Sequence, residues 1–335
     1  MTVKVAINGF GRIGRLALRS IVELRREDVE VVAINDLGPV ATLAHLLRYD
    51  SVHGPFRGSI DLGEDWIDVG SGKIRVSSER DPANLPHDEL GVDVALGCTG
   101  FFTSREKAES HIRAGARRVL VSAPSDGADK TIVFKVNHDT LTADDVVVSN
   151  GSCTTNVLAP VAKVLNDLCG IERGYMTTVH AYTGDQPTRD TVHKDLYRAR
   201  AAALSMIPTS TGAANAIGRV LPELKGKLHG SSIRVPTPNV SVIDLAVSTS
   251  REVSIDEVND AIRQTAAGAM SGVLAFTTEP LVSVDLNHRT ESSIVALPQT
   301  DVVDGRMVRV LAWYDNEWSF ATRMADTAVA MAKLI

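Results

Sequence analysis

The segment Gly9-Phe10-Gly11-Arg12-Ile13-Gly14 restricts the fold of this chain more than any other. It satisfies G-x-G-x-x-G and follows a mostly apolar, β-branched run from Val3 to Ile7. After it, Ile13, Leu16, Ala17, Ser20, Ile21 and Leu24 recur at helical spacing, and Val29 to Ile34 reads as a second strand. Strand, glycine turn, helix and strand form a βαβ unit, which requires a parallel sheet with right-handed crossovers. The glycines permit a tight bend and close backbone approach. The helix N-terminus offers free N–H groups and a positive dipole end to a pyrophosphate. Asp36 ends the second strand where an acid that binds a ribose is expected. A carboxylate there accepts from the 2′-OH of NAD and repels the 2′-phosphate of NADP. NAD is therefore the expected cofactor, with NADP use left open because neighbouring side chains can accommodate that phosphate.

At 335 residues the chain exceeds one ordinary core and suits two domains. Val92 to Leu96, Arg118 to Ser122 and Val146 to Ser149 read as later strands of the first sheet, and Ser104 to Ala114 as a crossover helix. After Asn150-Gly151 the character changes. Val157, Leu158, Val161, Val164, Leu165 and Leu168 predict a helix from about Ser152. Strand-like stretches follow at Tyr175 to Tyr182, Ser231 to Val235, Val240 to Ser248, Ser292 to Ala296 and Met307 to Tyr314. The expected fold is α/β: a Rossmann-type parallel-sheet domain over 1–151 and an α+β catalytic domain over 152–316 with a mainly antiparallel sheet. An amphipathic terminal helix over 317–335 is expected to pack back on the first domain.

Composition narrows the function. Aromatics are only 4% of the chain against 44% hydrophobic residues overall, so aliphatic side chains must supply most of the burial. A net charge of −6 argues against a surface that tracks phosphate backbones, so no nucleic-acid partner is expected. Cys98, Cys153 and Cys169 have neither disulfide parity nor metal-ligand spacing, and no metal site is expected. No apolar stretch is long enough to span a bilayer and no leader pattern opens the chain. The expectation is a cytoplasmic protein with no membrane partner.

Cys153 sits in Ser152-Cys153-Thr154-Thr155-Asn156, after a predicted strand and at the opening of a helix. Ser and Thr there are natural N-caps, and a thiol in the first turn feels a helix dipole that favours the reactive thiolate. A cysteine is more often a small buried hydrophobe, and Cys98 and Cys169 fit that plainer role. The polar neighbours of Cys153 argue against it there. Most of the nine histidines, such as His45, His53, His87 and His111, read as loop or surface-helix residues. His180 instead ends the strand-like run Met176 to Val179; a strand-end histidine is by itself more often structural, and spacing alone does not bring it to Cys153.

Several long motifs in order then carry a resemblance. INGFGRIGR opens the chain, SCTTN surrounds Cys153, HAYTGDQ begins at His180 and DLYRARAAA at Asp195. TSTGAA follows from Thr209, RVPTPNVS from Arg234 and WYDNEW from Trp313. Over essentially its full length the chain resembles the phosphorylating glyceraldehyde-3-phosphate dehydrogenases. The resemblance implies that Cys153 attacks the aldehyde of glyceraldehyde 3-phosphate with His180 as base, and that a thioester is then released by inorganic phosphate. It assigns Ser152, Thr154, Thr183, Arg198, Thr211, Gly212 and Arg234 to the two phosphates. It assigns Gly11, Arg12, Ile13, Asp36, Arg80, Ser122 and Asn316 to the cofactor, and it implies a homotetramer. Erythrose-4-phosphate dehydrogenase is the alternative from the same fold; Thr183 and the TSTGAA segment fit the triose enzyme better. A thiol hydrolase using Cys153 and His180 leaves the glycine fingerprint and Asp36 unexplained. An idle binding protein of this fold would not need Cys153, His180 and Arg234 together. Gly184, Asp190-Thr191-Val192, Asn215 and Phe320 depart from the commonest family pattern and bear on cofactor preference and subunit contacts, not on the reacting groups.

Overall fold

A computed structural model describes residues 2–335 and divides them into two compact units. The first holds the residues up to Ser152 together with Phe320–Ile335; the second is Cys153–Ser319. The division falls inside the final helix rather than ahead of it.

The first unit opens with β1 (Val3–Asn8), α1 (Arg12–Glu23), β2 (Val29–Asn35) and α2 (Val40–Arg48). The short strands β3 (Asp61–Leu62), β4 (Trp66–Asp68) and β5 (Lys73–Ser77) follow, then α3 (His87–Leu90) and β6 (Val94–Gly97). α4 (Arg105–Ala108), α5 (Ser110–Arg113), β7 (Arg118–Val121), β8 (Lys130–Thr131) and β9 (Val147–Ser149) complete its sheet. The strand order is β3-β4-β5-β2-β1-β6-β7-β9-β8, with parallel pairing throughout the centre. β1, β6 and β7 are apolar and buried almost end to end, as strands covered on both faces must be.

The crossover expected as one helix over Ser104 to Ala114 is two four-residue helices that break at Glu109. A second departure matters more. His87 and His111, expected at the surface, are 2% and 0% exposed. α3 and α5 are each one turn long, too short for periodicity to reveal a buried face, and tertiary packing alone puts these rings inside.

The second unit begins with α6 (Cys153–Cys169), then β10 (Ile171–Ala181), β11 (Ile207–Ser210), α7 (Ala213–Val220), β12 (Leu228–Val235) and β13 (Ser241–Thr249). It continues with α8 (Ile255–Ala267), β14 (Leu274–Thr277), β15 (Ser293–Ala296), β16 (Asp301–Val303) and β17 (Met307–Tyr314), and α9 (Trp318–Ala332) ends the chain. The sheet runs β11-β12-β10-β13-β17-β15-β14, with β16 beside β17. Its pairings are mainly antiparallel, although β10 with β12 and β14 with β15 are parallel. β13 and β17 alternate buried and half-buried residues, the pattern of a sheet with one face on the core. α6 supplies that core: Val157, Leu158, Val161, Ala162 and Leu165 are fully buried. A capping box starts α8, with Glu257 N donating to Ser254 Oγ and Ser254 N donating to Glu257 Oε2.

No helix among the described residues is long and apolar enough to cross a membrane. No group of three or more His, Cys, Asp or Glu among them is arranged to hold a metal ion.

Candidate active site

In the first unit a cavity of about 590 Å³ opens at the ends of β1, β2 and β6. Gly9 leaves β1 with φ of 94°, and a Cβ there would lie 2.7 Å from the Thr99 amide nitrogen. A Cβ on Gly11 would meet nothing within 4 Å, so that residue presents bare backbone to the cavity it lines. Gly14 lets α1 sit against the turn, since a Cβ would collide with the Gly9 carbonyl oxygen. Gly11 caps α1 without a side-chain bond and no acid occupies its first turn, which leaves the helix end open to an anion. Asp36 Oδ2 accepts from Phe10 N at 2.8 Å and Oδ1 from Gly38 N at 3.0 Å. The carboxylate is thereby fixed at the cavity wall with lone pairs to spare. Bare glycine backbone, an open helix end and an anchored acid fit a dinucleotide.

In the second unit Cys153 is the first residue of α6, and its Sγ lies 3.5 Å from His180 Nε2. Sheet register supplies the rest. His180 of β10 pairs with Arg234 of β12, which pairs with Ile207 of β11, so neighbouring strands bring these side chains to one face. His180 Nδ1 lies 2.7 Å from the Ala181 carbonyl, which only accepts, and 3.0 Å from Arg234 Nη1, which only donates; the shorter contact assigns the ring proton to Nδ1. Arg234 Nη1 donates to the same carbonyl and to Thr183 Oγ1, both at 3.0 Å. With its proton on Nδ1, the ring turns the Nε2 lone pair toward the thiol. Thr183 in turn bonds Asp185, which pairs with Arg198 at 2.9 Å, and Arg198 Nε donates to Thr209 Oγ1 at 3.0 Å.

The charge state of the pair differs from the thiolate expected from helix position. Burial pushes the Cys153 thiol up; Arg234, Thr154 and the first-turn amides oppose this without reversing it. Burial, joined by the Arg234 charge, pushes His180 down to about 3. The resting pair is therefore a thiol donating to a neutral imidazole. Burial outweighs the Arg234 charge and the first-turn hydrogen bonds here.

Tyr314 ties the thiol's helix to the sheet. Its phenol is fully buried and bonded to Thr154 Oγ1 at 3.0 Å and Thr178 Oγ1 at 2.9 Å, and its ring meets His180 edge-on at 5.8 Å. Asn316 lies just beyond, where Asp315 Oδ1 accepts from Glu317 N and Trp318 N to start α9. Ser241 Oγ accepts from Ala181 N and donates to Asn316 Oδ1 at 2.8 Å, leaving the Asn316 Nδ2 end for another acceptor.

Of the residues expected at the cofactor, Gly11, Asp36 and Arg80 line the cavity. Arg12, Ile13 and Ser122 are not on that lining: Arg12 is paired with Asp50, and Ser122 bonds the Cys98 sulfur. Cys153, His180, Thr183, Arg198 and Arg234 form one connected set. Thr211 and Gly212 lie at the start of α7, where Thr211 Oγ1 accepts from Ala213 N. Ser152 immediately precedes the thiol. Sequence reasoning did not single out Asn8, Asn35, Glu79, Thr99, Phe101 and Phe102 on the cavity wall, or Tyr314, Asp185 and Ser241 around the imidazole.

Comparison with known proteins gives concordant matches. Residues 152–316 match the model described as the glyceraldehyde 3-phosphate dehydrogenase C-terminal domain, and residues 3–105 match the NAD binding domain of the same family. The chain is 67% identical over 335 residues to the glyceraldehyde-3-phosphate dehydrogenase of Cereibacter sphaeroides, covering all of both chains. It is 67% identical over 334 residues to that of Xanthobacter flavus, again with complete coverage. To the Geobacillus stearothermophilus enzyme it is 53% identical over 333 residues, 99% of each chain.

Proposed function

Because the chain belongs to the glyceraldehyde-3-phosphate dehydrogenase family, we propose that it converts D-glyceraldehyde 3-phosphate and inorganic phosphate to 1,3-bisphosphoglycerate with NAD as cofactor. Residues 1–151, with the terminal helix 317–335, serve as the NAD-binding domain and 152–316 as the catalytic domain. The observation that carries this reading is the 3.5 Å approach of Cys153 Sγ to His180 Nε2 beside Arg234.

Cys153 Sγ bonds to the aldehyde carbon while its proton passes to His180 Nε2 and on to the carbonyl oxygen, giving a hemithioacetal. NAD, when bound, supplies the hydride acceptor that converts this adduct to a thioester. His180 Nε2 takes the hydroxyl proton in that step. Phosphate oxygen then bonds to the thioester carbon, the C–S bond breaks, and the sulfur recovers its proton from His180. The ring starts neutral and so can accept a proton, and its low proton affinity makes the imidazolium, once formed, a strong acid that returns it.

Two anions must lie near the sulfur. Arg234 suits one, because its Nε is buried without a hydrogen-bond partner while Nη1 anchors the guanidinium. Arg198, Thr183, Ser152, Thr154, Thr211 and Gly212 complete the proposed phosphate sites. For the cofactor, Gly11, Arg12 and Ile13 take the pyrophosphate, Asp36 the ribose and Arg80 the adenosine side. Ser122 and Asn316 take the nicotinamide half, with Asn316 Nδ2 toward the carboxamide. The Asp36 charge favours NAD over NADP.

A homotetramer in the cytoplasm completes the reading. It is supported by Val192, Leu196, Leu204 and Met206, apolar side chains in a single loop that are 100%, 82%, 83% and 75% exposed. Mixing enzyme, aldehyde and NAD should give a stoichiometric burst of reduced nicotinamide absorbance, and adding phosphate should start turnover. Rapid oxidation of erythrose 4-phosphate without phosphate would overturn the assignment.

A further inference from the structure

A line of buried polar groups runs from the wall of the nucleotide cavity into the interior of the first unit. At the cavity edge Glu79 N donates to Asn35 Oδ1 at 2.8 Å, and Asn35 Nδ2 donates back to Glu79 O at 2.9 Å. Asn35 Nδ2 also donates to Asn8 Oδ1 at 2.8 Å. Asn8 Nδ2 meets His111 Nε2 at 3.1 Å, and His111 Nδ1 meets His87 Nε2 at 3.0 Å. The line ends at His87 Nδ1, which is buried without a partner. All four side chains are buried, His111 completely.

The main chain of Glu79 sets the direction of every bond. A peptide N–H and C=O allow only one orientation of the Asn35 amide, which requires Asn8 to present its oxygen to Asn35 and its NH2 to His111. His111 must then accept at Nε2 and carry its proton on Nδ1. His87 accepts that proton at Nε2 and carries its own on Nδ1. Burial pushes His87 down to about 4 and His111 down to about 3, so both rings stay neutral as this arrangement needs. A second proton on His111 would face the Asn8 NH2 group, and the amides could escape only by releasing Glu79.

We propose that His111, backed by His87, is a positioning residue for the cofactor: acting through Asn8 and Asn35, it holds the Glu79–Arg80 edge of the cavity in its binding geometry. This rests on the reading of the cavity as an NAD site. Leucine at 111 fills the space but leaves Asn8 Nδ2 and His87 Nε2 without partners. Glutamine accepts from Asn8 through Oε1 and donates to His87 through Nε2.

The test is calorimetric titration of the full chain with NAD, alongside KM, kcat and unfolding midpoints. His111→Leu should weaken NAD binding about five- to tenfold and raise KM for NAD alike, with kcat at saturating NAD unchanged; His111→Gln should bind within about twofold of wild type. A folded His111→Leu protein that loses only thermal stability, or loses kcat with NAD affinity intact, overturns the proposal. So does a glutamine variant as weak as leucine. If the leucine variant does not fold, ¹⁵N spectra of the wild-type imidazoles still decide, since a proton on His111 Nε2 overturns the relay. Wild-type protein that binds no NAD overturns the reading of the cavity itself. Wild-type binding with an unaffected leucine variant overturns the relay alone.

Discussion

His180 and His111 start from the same physics and end in different trades. Both are buried, and burial pushes both down to about 3, helped by a cationic neighbour for His180 and by His87 for His111. Both are neutral rings with a defined tautomer. The difference lies in what faces the accepting nitrogen. At His180 it is a half-buried thiol, a group that can give up its proton to form a nucleophile. At His111 it is a carboxamide that cannot. Burial keeps each ring neutral with a lone pair to accept a proton; in the roles proposed for them, the acidity of the partner decides whether the ring moves protons or braces a wall.

Removing the acid from the first pair gives the largest expected effect. Cys153→Ala should lower phosphate-dependent oxidation by more than about 10⁴-fold while leaving NAD affinity intact. Residual thioester chemistry in that variant would erase the distinction between the two rings. Next, His180→Asn should lower kcat/KM by about 10²- to 10⁴-fold, again with NAD affinity unchanged, the reverse of the split expected for His111→Leu. In the wild type the acid fall in kcat/KM should lie well below pH 6.5, because His180 stays neutral far under its ordinary value. A midpoint at the ordinary histidine value would place the ring in a wetter site.

Acid sensitivity of the fold sharpens the comparison from another side. His87, His111 and His180 have folded values of about 4, 3 and 3 against 6.5. Below pH 6.5 the unfolded chain takes up protons that the folded chain refuses. Stability is therefore fully present above 6.5 and is lost as pH falls toward the folded values, by about 1.4 kcal/mol per pH unit for each ring. Denaturant titrations across that window should show a shallower acid slope in His111→Gln than in wild type. Equal slopes would mean that His111 is already charged in the folded chain. A smaller effect belongs to Asp36→Ala, which should raise the NADP/NAD preference ratio about tenfold by deleting a ribose acceptor and a repelling charge. An unmoved ratio would leave cofactor choice to other residues on the cavity wall.

What the sequence discloses follows the length and regularity of each element. β1, the glycine turn, α1 and β2 are legible because period and glycine spacing agree over more than thirty residues. β13 and β17 are legible as long, mostly apolar runs of nine and eight residues rich in β-branched and aromatic side chains. β3, β4 and β5 are not, because these short strands are interrupted by charged residues, whereas the equally short β6, β7 and β9 lie in mostly apolar runs. The capping box that starts α8, Ser254 with Glu257, is not among the sequence expectations. Around the thiol, SCTTN marks the proposed nucleophile, but His180 reaches it from 27 positions away through packing. Tyr314 joins Thr154 across 160 positions, and no local pattern announces that bond. Helix position favours an ionised sulfur; the density of protein around it, which no local motif records, pushes the thiol the other way.

The last helix carries a consequence for biosynthesis. Phe320–Ile335 belong to the unit that begins the chain: Asp326 pairs with Arg26, Thr327 Oγ1 donates to the buried Asn150, and the Leu334 carbonyl accepts from Arg118. Ribosomes deliver a chain from its N-terminus, and domains tend to fold as they emerge. Here the whole of Cys153–Ser319 is released before the earliest unit receives its final piece, so the portion synthesised first is the portion completed last.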